Sequence, residues 1–340
     1  MTRLTFAFLG VAHIHTPDFV RRINERGDNA AVKYVYDREQ ARAEIRSNEL
    51  EGSAVTDSVE AALNDPEIDA VIVCAETSLH RDLVVRAAGA GKHIFCEKPL
   101  AIGAVDAEIM ADAVKAAGVV FQTGFFQRSS PANRFIKQEV LAGHLGKITR
   151  VRYSNCHHAA LAGWFDTDWR WLAEKKWSGG GALLDMGAHP LDLLINTFVP
   201  TEGNIVGMSS SLGNRGGRYG NEIDEYGTGL FTFESGASAV IEASWVDPAL
   251  RSATEVFGTE GQIQVKDGVV YYYSTHVDGA DGKTPTLDLP TVAPHAFELF
   301  IDKLLGKSLP IELVSVDEAR LGSALMEKLY EQNLNVSLIS

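Results

Sequence analysis

Asp185 and His189 stand four residues apart in a run that opens on three glycines, Gly179-Gly180-Gly181-Ala182-Leu183-Leu184-Asp185-Met186-Gly187-Ala188-His189. On a helix that spacing sets both side chains on one face, one turn apart, and Asp192 three residues on extends the stripe. An apolar helix avoids a column of Asp, His and Asp, because each polar group needs a partner once buried. Two readings stay open. In one, the column floors a cavity facing a polar small molecule, with an imidazole to exchange a proton and carboxylates to orient. In the other, Asp185 caps a helix N-terminus and His189 is a satisfied core residue.

A second chemical group stands where Lys92-His93-Ile94-Phe95-Cys96 runs into Glu97-Lys98-Pro99-Leu100. A residue before proline is held extended or in a turn. An ammonium so constrained beside a cofactor polarises a hydroxyl and favours alkoxide character, although most lysines merely pair with a surface carboxylate. Near the N-terminus, an apolar strand ends at Gly10, followed by Val11-Ala12-His13-Ile14-His15-Thr16-Pro17. A dinucleotide fold places a glycine-rich turn there, facing backbone amides and a helix N-terminus toward a pyrophosphate. Only the first glycine of G-x-G-x-x-G is kept, with Ala12 and His15 at the other two positions. Thr16 and Pro17 predict a helix cap and a first-turn proline. Asp37 follows His15 by 22 residues, where an acid accepts from an adenosine ribose and repels a 2′-phosphate; Arg38 beside it tempers that preference. Gly10, Ala12, His13, Ile14, Asp37, Arg38, Glu97 and Lys98 are the candidate cofactor-binding residues, with NAD favoured over NADP. His13 and His15 have no Cys or carboxylate ligand near in sequence, so no metal site is expected.

Trp164, Asp168, Trp169, Arg170, Trp171 and Trp177 precede the glycine triplet and hold four of the five tryptophans. Indole faces stack on sugar rings while Asp and Arg bond hydroxyls, so Arg170 and Trp171 are candidate substrate residues; a domain or subunit contact is the alternative.

The elements that position these groups fall into two kinds. Strands at 4–9, 31–36, 53–56, 69–74, 92–96 and 119–123 alternate with helices near 17–26, 38–49, 58–64, 79–90 and 103–117. Runs such as Ala70-Val71-Ile72-Val73-Cys74 suit burial on both faces of a parallel sheet. From about 147 strands dominate, at 147–158, 204–213, 225–234, 237–246, 253–258, 262–266 and 269–273. Glu234-Ser235-Gly236 and Lys266-Asp267-Gly268 read as hairpin turns between them. Residues 275–292 read as a loop, and helices return at 294–306 and 315–333. The fold class is therefore α/β: an N-terminal doubly wound parallel sheet of Rossmann type, then a C-terminal α+β domain with an open, mostly antiparallel sheet. The expected domains are 1–123 for the dinucleotide and 124–340 for substrate binding and oligomerisation, with the C-terminal helix packing back on the first.

Composition bounds the partners. The 340 residues carry a formal charge of −14 without a basic block, which argues against nucleic acid. No run reaches the ~18 apolar residues of a membrane span. Cys74, Cys96 and Cys156 are odd in number and lack metal spacing, which suits reduced thiols in a cytoplasmic protein.

Taken together, the degenerate nucleotide turn, Glu97-Lys98-Pro99 with its preceding Ala87–Cys96 segment, Gly143-His144-Leu145-Gly146-Lys147-Ile148, and the Gly179–His189 run resemble the Gfo/Idh/MocA oxidoreductases over essentially the whole chain. The resemblance implies a nicotinamide dinucleotide held between the two domains and a homo-oligomer, dimer or tetramer, formed through the sheet. It implies catalysis by Lys98, Asp185 and His189, with Asp185 and His189 also touching substrate and Asp192 binding substrate hydroxyls. It implies as well a Lys98–Pro99 peptide bond that is often cis. Where the family often carries Thr-Pro after the fourth strand, this chain has Ala75-Glu76-Thr77, which puts an unexpected carboxylate near the nicotinamide side. The activity that follows is hydride transfer between a nicotinamide and a secondary alcohol or ketone of a sugar, sugar derivative or polyol, with His189 as general base. Two alternatives share the motifs: an NAD-dependent glycoside hydrolase working by transient oxidation, elimination and reduction, and a non-catalytic sugar or dinucleotide sensor.

Overall fold

The computed structural model describes residues 3–249 and 253–333. Its first sheet is built from β1 (Leu4–Leu9), β2 (Ala30–Tyr36), β3 (Ala54–Thr56), β4 (Ala70–Val73), β5 (His93–Cys96) and β6 (Phe121–Thr123). They lie in the order β3-β2-β1-β4-β5-β6, every pairing parallel. Helices α1 (Thr16–Glu25), α2 (Gln40–Asn48), α3 (Val59–Leu63), α4 (His80–Gly89) and α5 (Ala104–Ala117) make the crossovers. Because strand order reverses between β1 and β4, the crevice at their carboxyl ends is where such sheets take ligands. Every residue of β4 is buried, as its continuous apolar run requires.

The second half starts with α6 (Pro131–Leu141), β7 (Ile148–Cys156), the short helices α7 (Ala159–Ala162), α8 (Lys175–Ser178) and α9 (Ala182–Asp185), and the long α10 (Ala188–Glu202). Then come β8 (Ile205–Gly213), β9 (Tyr226–Phe233), β10 (Ser238–Ser244), β11 (Thr254–Gly258), β12 (Gly261–Lys266), β13 (Val269–Ser274) and β14 (Asp281–Pro285). Their order is β14-β13-β12-β11-β7-β10-β9-β8, antiparallel throughout except for the parallel β7–β10 pair. That parallel pair brings the ends of β7 and β10 side by side, which matters for the site. The expected hairpins at 234–236 and 266–268 are present, β9 to β10 and β12 to β13. The loop expected over 275–292 instead carries β14, an edge strand whose Asp-Gly-Lys-Thr-Pro sequence is poor in strand formers and so gave no signal.

Helices α11 (Ala296–Leu304) and α12 (Val316–Glu331) return to the first sheet. On one face Phe6, Phe8 and Ile72 pack with Phe19 of α1 and Phe297 and Phe300 of α11. On the other, Val71 and Val73 join Leu83, Met110 and, from α12, Val316 and Ala319. A separate core lies between the second sheet and α6, α10 and α12, where Phe198, Phe231, Ile241, Leu325 and Leu329 are nearly inaccessible. Burial of a large apolar side chain contributes about 1.5–3 kcal/mol, so these shared cores hold the two halves in register.

Candidate active site

Lys98 leaves the carboxyl end of β5 through a cis Lys98–Pro99 peptide bond. Its backbone N–H donates to the Glu97 carboxylate at 2.8 Å. The buried ammonium crosses to the other half of the molecule, donating to Asp185 Oδ1 at 2.6 Å and to the Asp185 carbonyl at 3.1 Å. The remaining carboxylate oxygen of Asp185 accepts from the indole N–H of Trp245 at 3.0 Å. Trp245 stands one residue past β10 and His157 one residue past β7, and the His157 N–H donates to the Ser244 carbonyl at 2.9 Å. The parallel strand ends thus deliver an indole to the carboxylate and set an imidazole close enough to act on it electrostatically. Burial works to raise the Asp185 carboxyl, but the Lys98 ammonium, its hydrogen bond and His157 hold it well below the usual carboxylate range.

Asp185 and His189 do not share one uninterrupted helix as the spacing predicts. Asp185 ends α9, Met186 and Gly187 form a turn, and His189 lies in the first turn of α10. The turn requires glycine at this point, since a Cβ on Gly187 would lie 2.3 Å from the Leu183 carbonyl oxygen. Nor does Asp185 cap α9. That role belongs to Asp224, whose carboxylate accepts from the N–H groups of Gly181 and Leu183, each at 2.8 Å. The glycine triplet allows this approach: a Cβ on Gly181 would sit 1.9 Å from the Asp224 carbonyl oxygen.

His189 is 3 % exposed and its Nδ1 has no hydrogen-bond partner. The rings of Phe125 and Phe126 flank it at 5.8 and 4.8 Å. Burial first, and the nearby Lys98 ammonium second, push its pKa well below the ordinary value, so the ring is neutral at neutral pH with a nitrogen to spare. A satisfied core histidine would look different.

Asp192 sits elsewhere in the scheme. Both its oxygens accept from Arg128, from Nε at 2.8 Å and from Nη2 at 2.5 Å, and the pair is buried with Glu318 beside it. Asp192, for which the resemblance implies a substrate-hydroxyl role, is thus engaged on both oxygens by a guanidinium. Of the tryptophan window, Trp169, Trp171 and Trp177 pack with Trp245 in one apolar cluster that includes Ala12 of the nucleotide turn. Trp171 is buried and donates its indole N–H to the Ala12 carbonyl at 3.0 Å, packing on the nucleotide turn. Arg170 lies 4.9 Å over the Tyr219 ring and 3.8 Å from Glu174. Trp164 packs against His157 and His158. Trp245, the fifth tryptophan, is the one in contact with Asp185, and no spacing in the sequence ties it to that residue 60 positions away.

At the nucleotide turn Gly10 has φ +88°, and a Cβ there would be 2.4 Å from that of Ala75, so only glycine fits between β1 and β4. The Asp37 carboxylate accepts from the N–H groups of Val11 at 2.8 Å and Glu39 at 2.9 Å. The first residue of α1 is Thr16, so His15, not Thr16, occupies the cap position, and it makes no side-chain cap bond. Contrary to the sequence expectation, a carboxylate does reach the His13/His15 pair: Glu97 lies 3.8 Å from His13 Nε2 and 3.3 Å from His15 Nδ1. His13 Nδ1 accepts the His15 N–H at 3.2 Å, so a neutral His13 carries its proton on Nε2 and turns no lone pair toward Glu97. Glu76, expected near the nicotinamide side, lies instead beside Asp37 and Arg38. The glycine cradle and the fixed Asp37 fit a dinucleotide along this edge.

Comparison with known proteins agrees with this geometry. The family model described as "Oxidoreductase family, NAD-binding Rossmann fold" matches residues 4–125, and that of the GFO/IDH/MocA C-terminal domain matches residues 133–264. The 1,5-anhydro-D-fructose reductase of Ensifer adhaerens is 33 % identical over 62 % of this chain and 61 % of its own length. The scyllo-inositol 2-dehydrogenase (NAD(+)) of Bacillus subtilis is 32 % identical over 66 % of this chain and 63 % of its own. The alignments thus span somewhat over three fifths of these relatives. In fold, the chain superposes on a levoglucosan dehydrogenase solved with NADH and levoglucosan, with a TM-score of 0.81, 19 % identity and 97 % of each chain covered. With both halves matched in order, the chain belongs to the Gfo/Idh/MocA oxidoreductase family.

Proposed function

We propose that the protein is a nicotinamide-dependent oxidoreductase interconverting a secondary alcohol and ketone of a sugar, sugar derivative or polyol, with NAD preferred. The observation that supports the reading is the ion pair of the Lys98 ammonium and the Asp185 carboxylate, with a neutral His189 ring near enough to feel the ammonium and its Nδ1 unpartnered. In the oxidation direction His189 accepts the hydroxyl proton, the task a neutral imidazole with a free nitrogen suits. Lys98 donates to the same oxygen and stabilises its growing negative charge. Asp185 holds the ammonium in place and is itself held by Trp245. The Arg128–Asp192 pair fixes α10, and through it the position of His189. When bound along Gly10, Ala12, Ile14 and Asp37, the cofactor supplies hydride acceptance and donation. The named relatives, a reductase and a dehydrogenase of sugar-like and inositol substrates, support this substrate class.

The same reading places the protein in the cytoplasm as a homo-oligomer. All three cysteines are free and buried, and the outer face of β9 leaves Leu230 45 % exposed. Among the described residues no helix is long and apolar enough to cross a membrane.

The test is a panel of sugars, anhydrosugars and inositols with NAD, followed by absorbance of the reduced nicotinamide. Lys98→Ala and His189→Ala should each lower kcat by about 10²-fold or more on the best substrate while NADH binding persists. Near-normal turnover in either variant would overturn the assignment.

A further inference from the structure

Glu76 takes no part in the chemistry discussed so far, yet it is 1 % exposed and ionically bonded at the nucleotide edge. Its Oε1 accepts from Arg38 Nε at 2.8 Å and from Arg42 at 2.9 Å. Its Oε2 is buried without a partner, so this carboxylate already lacks one of the donors it needs. Arg38 is gripped from the other side as well, its guanidinium 4.2 Å over the ring of Trp177, which comes from α8 in the second half of the chain. Arg38 also pairs with Glu39 at 2.9 Å. Arg42 pairs with Asp37 at 3.1 Å and Glu39 at 3.1 Å. Two guanidinium groups therefore face three carboxylates, Asp37, Glu39 and Glu76. Arg86, the other arginine lining this cleft, is committed to Asp82 and Glu60.

An arginine one residue past the acid at the end of β2 is the group that would otherwise pair with a ribose 2′-phosphate. Here it is clamped, and the cleft is left with an excess of negative charge. We infer that Glu76 is a specificity-determining residue for the cofactor: it withholds Arg38 from a 2′-phosphate and adds a second carboxylate next to Asp37, so that an unphosphorylated adenosine ribose is accepted and the 2′-phosphorylated one is rejected. A 2′-phosphate brings about two negative charges into a cleft whose arginines, among the described residues, are all paired with carboxylates, and such like-charge juxtaposition is costly. The inference rests on the dinucleotide reading above and assigns the discrimination to a position that lies outside the ribose-binding acid itself.

The experiment is equilibrium titration of the protein with NADH and NADPH, read by energy transfer from tryptophan to the reduced nicotinamide and independent of turnover. The wild type should bind NADH about tenfold or more tighter than NADPH. Glu76→Gln should narrow that ratio by about tenfold, chiefly through tighter NADPH binding, and adding Arg38→Met should remove the gain. A ratio within about twofold of wild type in Glu76→Gln, or a wild type that prefers NADPH, overturns the inference. Wild-type protein alone supplies an independent arm. Repulsion is screened by salt, so the NADH preference should shrink as ionic strength rises, and a salt-independent ratio counts against Glu76. If the wild type binds neither cofactor, the dinucleotide reading itself falls, a result distinct from an unaltered ratio.

Discussion

Lys98 and Asp185 illustrate how two residues 87 positions apart acquire a role neither has alone. Lysine before proline was legible as a constrained ammonium, and the Asp185/His189 spacing as a polar column. The partners that hold them were not. Trp245 bonds Asp185 and His157 stands within its electrostatic reach through the parallel pairing of β7 and β10, which no local pattern announces. Replacing Trp245 by Phe keeps the ring and removes the N–H given to Asp185. Hydrogen bonds to charged groups contribute about 1.5–3 kcal/mol to stability, so Tm should fall by several degrees, and kcat/KM should fall by about tenfold or more as Asp185 loses that anchor. Unchanged kcat/KM would remove Trp245 from the account. His189 gives a pH signature. Its pKa is lowered, so the base form persists below the ordinary value of about 6.5, and the acid limb of kcat/KM for oxidation should lie below that pH. A limb at or above 6.5 would show that the ring is not shielded as the structure has it.

Element boundaries were the most legible part of the sequence. Strands of the first sheet and their crossover helices fall within about two residues of the expected positions, because buried parallel strands and helix periods leave strong patterns. The failures have local causes. The Met186-Gly187 turn hides inside a run that reads as continuous helix, and the cap of α9 comes from Asp224, 43 residues beyond Gly181. The Arg128 partner of Asp192 leaves no signal in the sequence, because a buried acid on an apolar helix looks the same whether it meets a sugar or an arginine. Measurement of Asp192→Ala separates the two. Stripping one partner from a buried ion pair costs about 3–5 kcal/mol, so this variant should lose stability in urea far more than it raises KM. A rise in KM at unchanged stability would return Asp192 to the substrate. Gly181→Ala should destabilise the protein as well, since its Cβ would overlap the Asp224 carbonyl, and a normal Tm in that variant would contradict the packing.

At the scale of the molecule, two sheets with different pairing share helix α12, while α11 packs on the first sheet, so chain from the far end of the sequence completes both cores. The sequence showed two kinds of sheet; it did not show that α11 supplies Phe297 and Phe300 to the first core, because apolar helix faces do not name their partners. This packing buries histidines across the fold. The pKa of His13 is pushed down to about 3 and that of His295 to about 4, and His80, His93, His157 and His189 are lowered too, in each case by burial first. Such rings are neutral when folded and take up protons when unfolded. Their stabilising contribution is complete above the unfolded value of about 6.5 and is lost progressively as pH falls below it. Tm should therefore be flat just above pH 7 and decline between about pH 6.5 and 5, whereas a constant Tm across that interval would contradict the burial. The central claim, that an ammonium and a neutral imidazole converge on one carbon beside a nicotinamide, is tested most directly by isotope transfer. With the best polyol deuterated at the reacting carbinol carbon, the account predicts deuterium at C4 of the reduced nicotinamide, formed by the wild type and lost with Lys98→Ala or His189→Ala. Reduced cofactor free of deuterium, or label transfer undiminished in both variants, would contradict it.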